Sequence, residues 1–280
     1  SALSHATWNL FTKRAINKEV FLWWTLTSSS ILLLPLFVFF IWNYQIPYPG
    51  WWFILGTVVL HVLYSTFLGR SYASADLSLA YPIARGMGPA LVPIISVFLL
   101  KEVITPLAII GIICVVAGIL TIYWWGTFME ILRDPFRIFK ESGTRYAFLT
   151  GLVIAAYSVW DKVGVSYVNP FLYMYFLVLG CAIFLTPYIL QVHGIDSIKV
   201  EIKKKMGTII LSGLLSFLGY VFILFALQFS RVSYIAPARE VGIVIGVLFG
   251  TLLLREPFGK GRTLGSCLII AGLVLISMAH

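Results

Sequence analysis

Apolar residues run along this chain in long blocks separated by short polar stretches. A bilayer core about 30 Å thick takes about 20 apolar residues at 1.5 Å rise per residue. On that measure ten blocks are predicted to span: Ser1 to Phe11, Val20 to Trp42, Trp51 to Leu68, Leu77 to Leu100, Ile104 to Trp125, Tyr146 to Tyr167, Pro170 to Val192, Gly207 to Phe229, Val232 to Leu254 and Leu264 to Met278. The first block is short and opens with neither a charged region nor a cleavage site, so it reads as a helix whose start is missing. Among the connectors, Gln191 to Lys205 and Thr127 to Thr144 are the most polar, and the latter is the natural joint between two halves.

The halves are related. A shift of 154 positions lays Ala84-Arg85 on Ala238-Arg239 and Leu99-Leu100-Lys101-Glu102 on Leu253-Leu254-Arg255-Glu256, and pairs Gly111 with Gly265 and Gly118 with Gly272. Each copy holds five spans, an odd number, so the second copy enters the membrane from the opposite face. The expected fold class is therefore an all-α membrane protein of ten transmembrane helices, arranged as two five-helix inverted repeats. Residues 1–126 form the first repeat, 127–144 a polar cytoplasmic connector and 145–280 the second repeat. Inverted copies meet around a pseudo-twofold axis in the membrane plane, which gathers matched residues near mid-depth.

Composition agrees: 60% of residues are hydrophobic and only 11% charged, against about 25% charged in a soluble globule. The net charge of +9 comes from short clusters between apolar runs, with no continuous basic face, so nucleic acid is not an expected partner. Of the twenty Lys and Arg, fifteen fall in loops after odd-numbered spans and three, Lys101, Lys162 and Arg231, after even-numbered ones. The positive-inside rule then places odd loops in the cytoplasm and both termini outside. Trp42, Tyr44, Tyr48, Trp51 and Trp52 suit an aromatic belt at the outer face. Cys114, Cys181 and Cys267 are isolated in apolar segments, so neither metal nor cofactor is expected.

The remaining two arginines carry the candidate chemistry. Arg85 lies about nine residues into its span, roughly 13 Å deep, and Arg239 is about as deep. A charge at that depth costs at least ~2.5 kcal/mol unless it meets water, a partner or an anion. The pair either holds the negative group of a substrate or neutralises internal carboxylates. Glu240 points about 100° from Arg239 on a helix but is able to reach Arg85 across the repeat interface. An apolar cavity disfavours its charge while a guanidinium favours it, so Glu240 is either a proton-coupling group or half of a static ion pair. Asp161 is a second proton-coupling candidate. Pro82, Gly86, Gly88, Pro89 and Pro93 surround Arg85, and Pro237 and Gly242 surround Arg239, as hinges or as packing kinks. His5, Asn9 and Lys13 share a face of the first span and Trp8 lies close to it; His5, Trp8 and Asn9, with Tyr157 and Trp160 in the sixth, Tyr81 in the fourth and the two arginines, form the expected substrate-binding set. Lys13 and Lys162 serve that cavity or snorkel to headgroups. Tyr64, Tyr72, Tyr220, Tyr234 and His61 are cavity hydrogen-bonders or core residues. Gly242, Gly246 and Gly250 form a packing stripe. Lys101-Glu102 and Arg255-Glu256 are expected to pair charges at span ends.

Over nearly its whole length the sequence resembles the EamA branch of the drug/metabolite transporter superfamily. The likeness rests on His5-Ala6-Thr7-Trp8-Asn9, on Asp76-Leu77-Ser78-Leu79-Ala80-Tyr81-Pro82-Ile83-Ala84-Arg85-Gly86, and on the two Lys/Arg-Glu span ends, each followed by a glycine-rich helix. It implies a central cavity and alternating access driven by an ion gradient, in a family that moves amino acids, other metabolites, nucleotide sugars or drugs. Many such proteins have both termini inside, whereas the basic residues here favour outside. No GxxxxGK[ST] loop is present to use ATP, and no HExxH or GxSxG to support an enzyme. The expectation is a proton-coupled exporter of a small anionic or zwitterionic, amino-acid-like metabolite, residing in the cell membrane as monomer or homodimer. The alternative is a flippase for a lipid or lipid-linked phosphate headgroup.

Overall fold

A computed structural model describes residues 2–74, 77–125, 142–254 and 259–279. Among them are eleven helices and no strand: α1 (Ala2–Lys13), α2 (Lys18–Leu32), α3 (Leu34–Asn43), α4 (Tyr48–Ser74), α5 (Leu77–Leu100), α6 (Pro106–Trp124), α7 (Ser142–Tyr167), α8 (Pro170–Phe229), α9 (Val232–Ala238), α10 (Val241–Leu254) and α11 (Lys260–Ser277). The chain is an all-helical membrane protein. Six of these helices are long and apolar enough to cross a bilayer, or seven if the bent pair α2 and α3 is one span. The count stays below ten among the described residues for local reasons. Helix α1 has 12 residues, α8 joins two predicted spans, and the predicted span from Val232 is split into α9 and α10. Large apolar side chains such as Phe98, Ile113, Phe184 and Phe222 are more than half exposed, as lipid-facing surface requires.

Backbone chemistry explains the breaks. Between α2 and α3 the axis bends by 56° at Leu33, where Pro35 lacks the N–H that a continuing helix needs. In α8 the single residue Gly194 has φ +69°, a conformation glycine adopts without the Cβ penalty. The stretch expected as a connector, Gln191 to Lys205, is thus helical on both sides of one glycine. Its lysines, isoleucines and glutamate are compatible with helix, and polarity alone does not unwind it.

The helices gather into two compact units, one of residues 1–62 and 160–229, the other of 63–159 and 230–280. In the first, α1 and α2 pack on α8. The Trp23 indole donates to Ala182 O and Thr186 Oγ1, Tyr175 donates to Ser30 O, and Gly213 admits Ser28 so closely that a Cβ there would lie 2.6 Å from its Oγ.

In the second unit α6 packs along α11 through reciprocal glycines. A Cβ on Gly111 would lie 2.7 Å from Gly272 O, and one on Gly118 would lie 2.7 Å from Gly265 O. These are the residues that the 154-residue shift equates, contacted crosswise: Gly111 meets the counterpart of Gly118, and Gly118 meets the counterpart of Gly111. Crosswise contact of equivalent residues is what a local twofold axis produces.

Candidate functional site

The site lies in the second unit, where α5, α7 and the break between α9 and α10 converge. Gly88 brings α5 against α7, since a Cβ there would sit 2.8 Å from Ile154 Cγ2; Gly151 does the same beneath Met87. After α9 the hydrogen-bond ladder tightens: Glu240 N bonds Pro237 O at 3.0 Å, Gly242 N bonds Arg239 O at 3.1 Å and Ile243 N bonds Glu240 O at 2.9 Å. Three-residue steps replace four-residue ones, so Arg239 and Glu240 sit on a turn. The expectation that they cannot share a face applies to a continuous helix. Here both line one cleft, together with Arg85, Gly88, Pro89, Ile154, Ser158 and Ala236.

The two guanidinium groups are held differently. Arg85 Nη2 donates to Glu240 Oε2 at 3.0 Å, with Arg85 27% exposed and Glu240 only 6%. Arg239 donates at longer range to Tyr157 Oη at 3.3 Å and to Ser158 Oγ at 3.5 Å, and its Cζ stands 5.9 Å from the Tyr157 ring centre. Ser158 Oγ donates onward to Ile154 O at 2.7 Å, which leaves its lone pairs for the arginine. Tyr157 is set edge-on to Tyr64 at 5.9 Å. The lining therefore carries two positive charges against one negative. The cleft is narrow, with about 10 Å³ of room for the centre of a water-sized sphere.

Other expected site residues have different surroundings. Trp8, Trp160 and Asp161 belong to the first unit. The Trp160 indole donates to Phe53 O at 2.9 Å and its ring covers Gly56, so it braces α7 against α4. Asp161, fully buried, accepts from Tyr173 at 2.8 Å and from Tyr220 at 2.6 Å. His61 bonds Thr57 within its own helix. Lys162 Nζ donates to Leu227 O at 2.5 Å, in the last turn of α8, where orphan carbonyls welcome a cation. Glu102 forms no pair with Lys101. Its carboxylate accepts from Val232 N, Ser233 N and Ser233 Oγ at 2.9, 3.1 and 2.5 Å, capping α9. His5 and Asn9 lie on α1 and Tyr81 on α5, with only their backbones described; Asp76 and Arg255-Glu256 lie outside the described residues.

Ser158 was not singled out from sequence. Its neighbour Tyr157 marked the region, but a serine in an apolar helix ordinarily satisfies itself on the carbonyl four residues back, as Ser158 also does.

The EamA-like transporter family model matches residues 1–124 and 142–278. An uncharacterized transporter of Archaeoglobus fulgidus is 26% identical over 228 residues, covering 80% of this chain and 74% of the relative. A protein of known crystal structure aligns over 100% of this chain and 97% of its own with a TM-score of 0.70 at 14% identity, a likeness of fold alone. With both parts of an apolar, all-helical chain covered by one family model, this protein is a membrane transporter that belongs to the EamA-like family.

Proposed function

We propose that this transporter is a secondary, proton-coupled exporter of a small zwitterionic, amino-acid-like metabolite, working by alternating access in the cell membrane, with ten spans in two inverted repeats. The observation that carries the reading is the Arg85–Glu240 ion pair sharing a cleft with Arg239. Glu240 accepts from Arg85, and Arg239 donates to the Tyr157 and Ser158 hydroxyls of the same cleft. A substrate carboxylate forms an ion pair with the Arg239 guanidinium.

Coupling then selects between anion and zwitterion. Export against protons requires that proton and substrate exclude each other on the same group, and linkage makes that exclusion mutual. A substrate ammonium that binds the Glu240 carboxylate competes with a proton for it. A substrate with only a carboxylate binds Arg239 and leaves Glu240 on Arg85, so it does not exclude a proton from that group. The zwitterion is therefore the form compatible with export against protons. The family match does not favour the headgroup flippase.

Thermal unfolding of the purified protein tests this with three probe sets: amino acids, their N-acetyl derivatives and their decarboxylated amines. Stabilisation by amino acids alone, lost in Arg239→Ala, is expected. Equal stabilisation by N-acetyl derivatives would remove Glu240 from the ammonium role, and no stabilisation by any amino acid would remove the substrate class.

A further inference from the structure

The long helix α8, in the first unit, offers a second binding surface. Beyond Gly194 it runs unbroken over 195–229, roughly 35 residues or about 50 Å, whereas the hydrocarbon core is about 30 Å thick. With the apolar part beginning at Gly207, residues 199–205 lie about 3–12 Å outside the core, the depth of the phospholipid headgroups. Lys199, Lys203 and Lys204 are exposed there, and Lys205 is half-buried. Exposed Ile195 and Met206 bracket them in sequence and lie beside Lys199 on the helix surface.

The segment is held firmly from its other side. Buried Ile198 packs with Val20 and Ile189 against Trp23 and Trp24, and the Trp24 indole donates to Ile198 O at 3.0 Å. Buried Glu201 accepts from Ile16 N at 3.3 Å and Asn17 N at 2.9 Å, tying α8 to the turn that joins α1 to α2. That turn adds exposed Arg14 and Lys18. Of the acids nearby, Glu201 is turned inward and Glu19 is taken by His193 Nε2 at 2.6 Å and by the Tyr188 hydroxyl at 3.1 Å. Asp196 is the remaining exposed acid. A fixed, net-positive patch at headgroup depth complements a phosphodiester that carries net negative charge.

We propose that Lys199, Lys203 and Lys204, with Arg14 and Lys18, form a binding site for an anionic phospholipid of the membrane the protein spans. Polybasic juxtamembrane segments gain about 1 kcal/mol per Lys or Arg, which is roughly a fivefold change in affinity per lysine neutralised. The full chain in detergent is titrated with phosphatidylglycerol or phosphatidylcholine, and retained lipid is counted by native mass spectrometry. Preferential retention of phosphatidylglycerol is expected, reduced at least tenfold in Lys199→Gln/Lys203→Gln/Lys204→Gln and kept when the same three become Arg. Equal retention of both lipids by the unaltered protein overturns the proposal, whatever the variants do. So does an undiminished phosphatidylglycerol preference in the triple glutamine variant.

Discussion

The two arginine-bearing segments match in sequence at Ala84-Arg85 and Ala238-Arg239 and differ in structure. The first, α5, is a continuous helix through Pro82, Pro89 and Pro93, and Gly86 follows its arginine. The second breaks into α9 and α10 at Arg239, and Glu240 follows its arginine. At the equivalent place one copy has no side chain and the other a carboxylate. Consequently Arg85 is bound to an acid from the other copy, whereas Arg239 bonds hydroxyls. The glycines of α6 and α11 retain their match and meet crosswise. Symmetry persists where packing alone matters and is lost at the cleft, where two like charges need different tasks.

The contrast gives measurable differences. At the symmetric positions, Gly111→Val and Gly265→Val both force a Cβ against backbone, so each lowers unfolding stability in detergent by about 3 kcal/mol or more, by matching amounts. Unequal losses would mean that the crosswise contact is not twofold. At the asymmetric positions the expected effects diverge. Arg85→Ala strands the buried Glu240 and costs about 2–3 kcal/mol, less than for a fully buried pair because Arg85 is 27% exposed. Arg239→Ala strands no buried carboxylate of the kind that Arg85→Ala leaves, is expected to cost less stability than Arg85→Ala, and still abolishes transport. Equal stability losses in the two alanine variants would show that the arginines are held alike. Most local is the cap at the start of α9: Glu102→Gln should destabilise by about 1–2 kcal/mol, and faster amide exchange at Val232 and Ser233 locates the loss.

Much of this was legible in the chain. Hydrophobic blocks located the helices because a bilayer imposes a length, and Leu77 to Leu100 matches α5 end for end. The repeat pointed to the arginines, since a charge within an apolar block has few interpretations. Reach across sequence was harder. That Glu240 is able to meet Arg85 was readable, but that Lys162 and Glu102 cap helix ends was not, because capping depends on which backbone groups tertiary packing leaves without partners. The helical run through Lys199 to Lys205 was hidden by its charge, and Ser158 by the ordinariness of its residue type.

The most direct measurement is exchange of labelled amino acids by protein in liposomes under an imposed pH gradient, comparing the unaltered chain with Arg239→Ala and Glu240→Gln. The expected result is gradient-driven accumulation by the unaltered protein, none by Arg239→Ala, and exchange without response to the gradient by Glu240→Gln. Accumulation by Arg239→Ala at the unaltered rate, or an unchanged gradient response in Glu240→Gln, would contradict an arginine cleft gated by its own carboxylate.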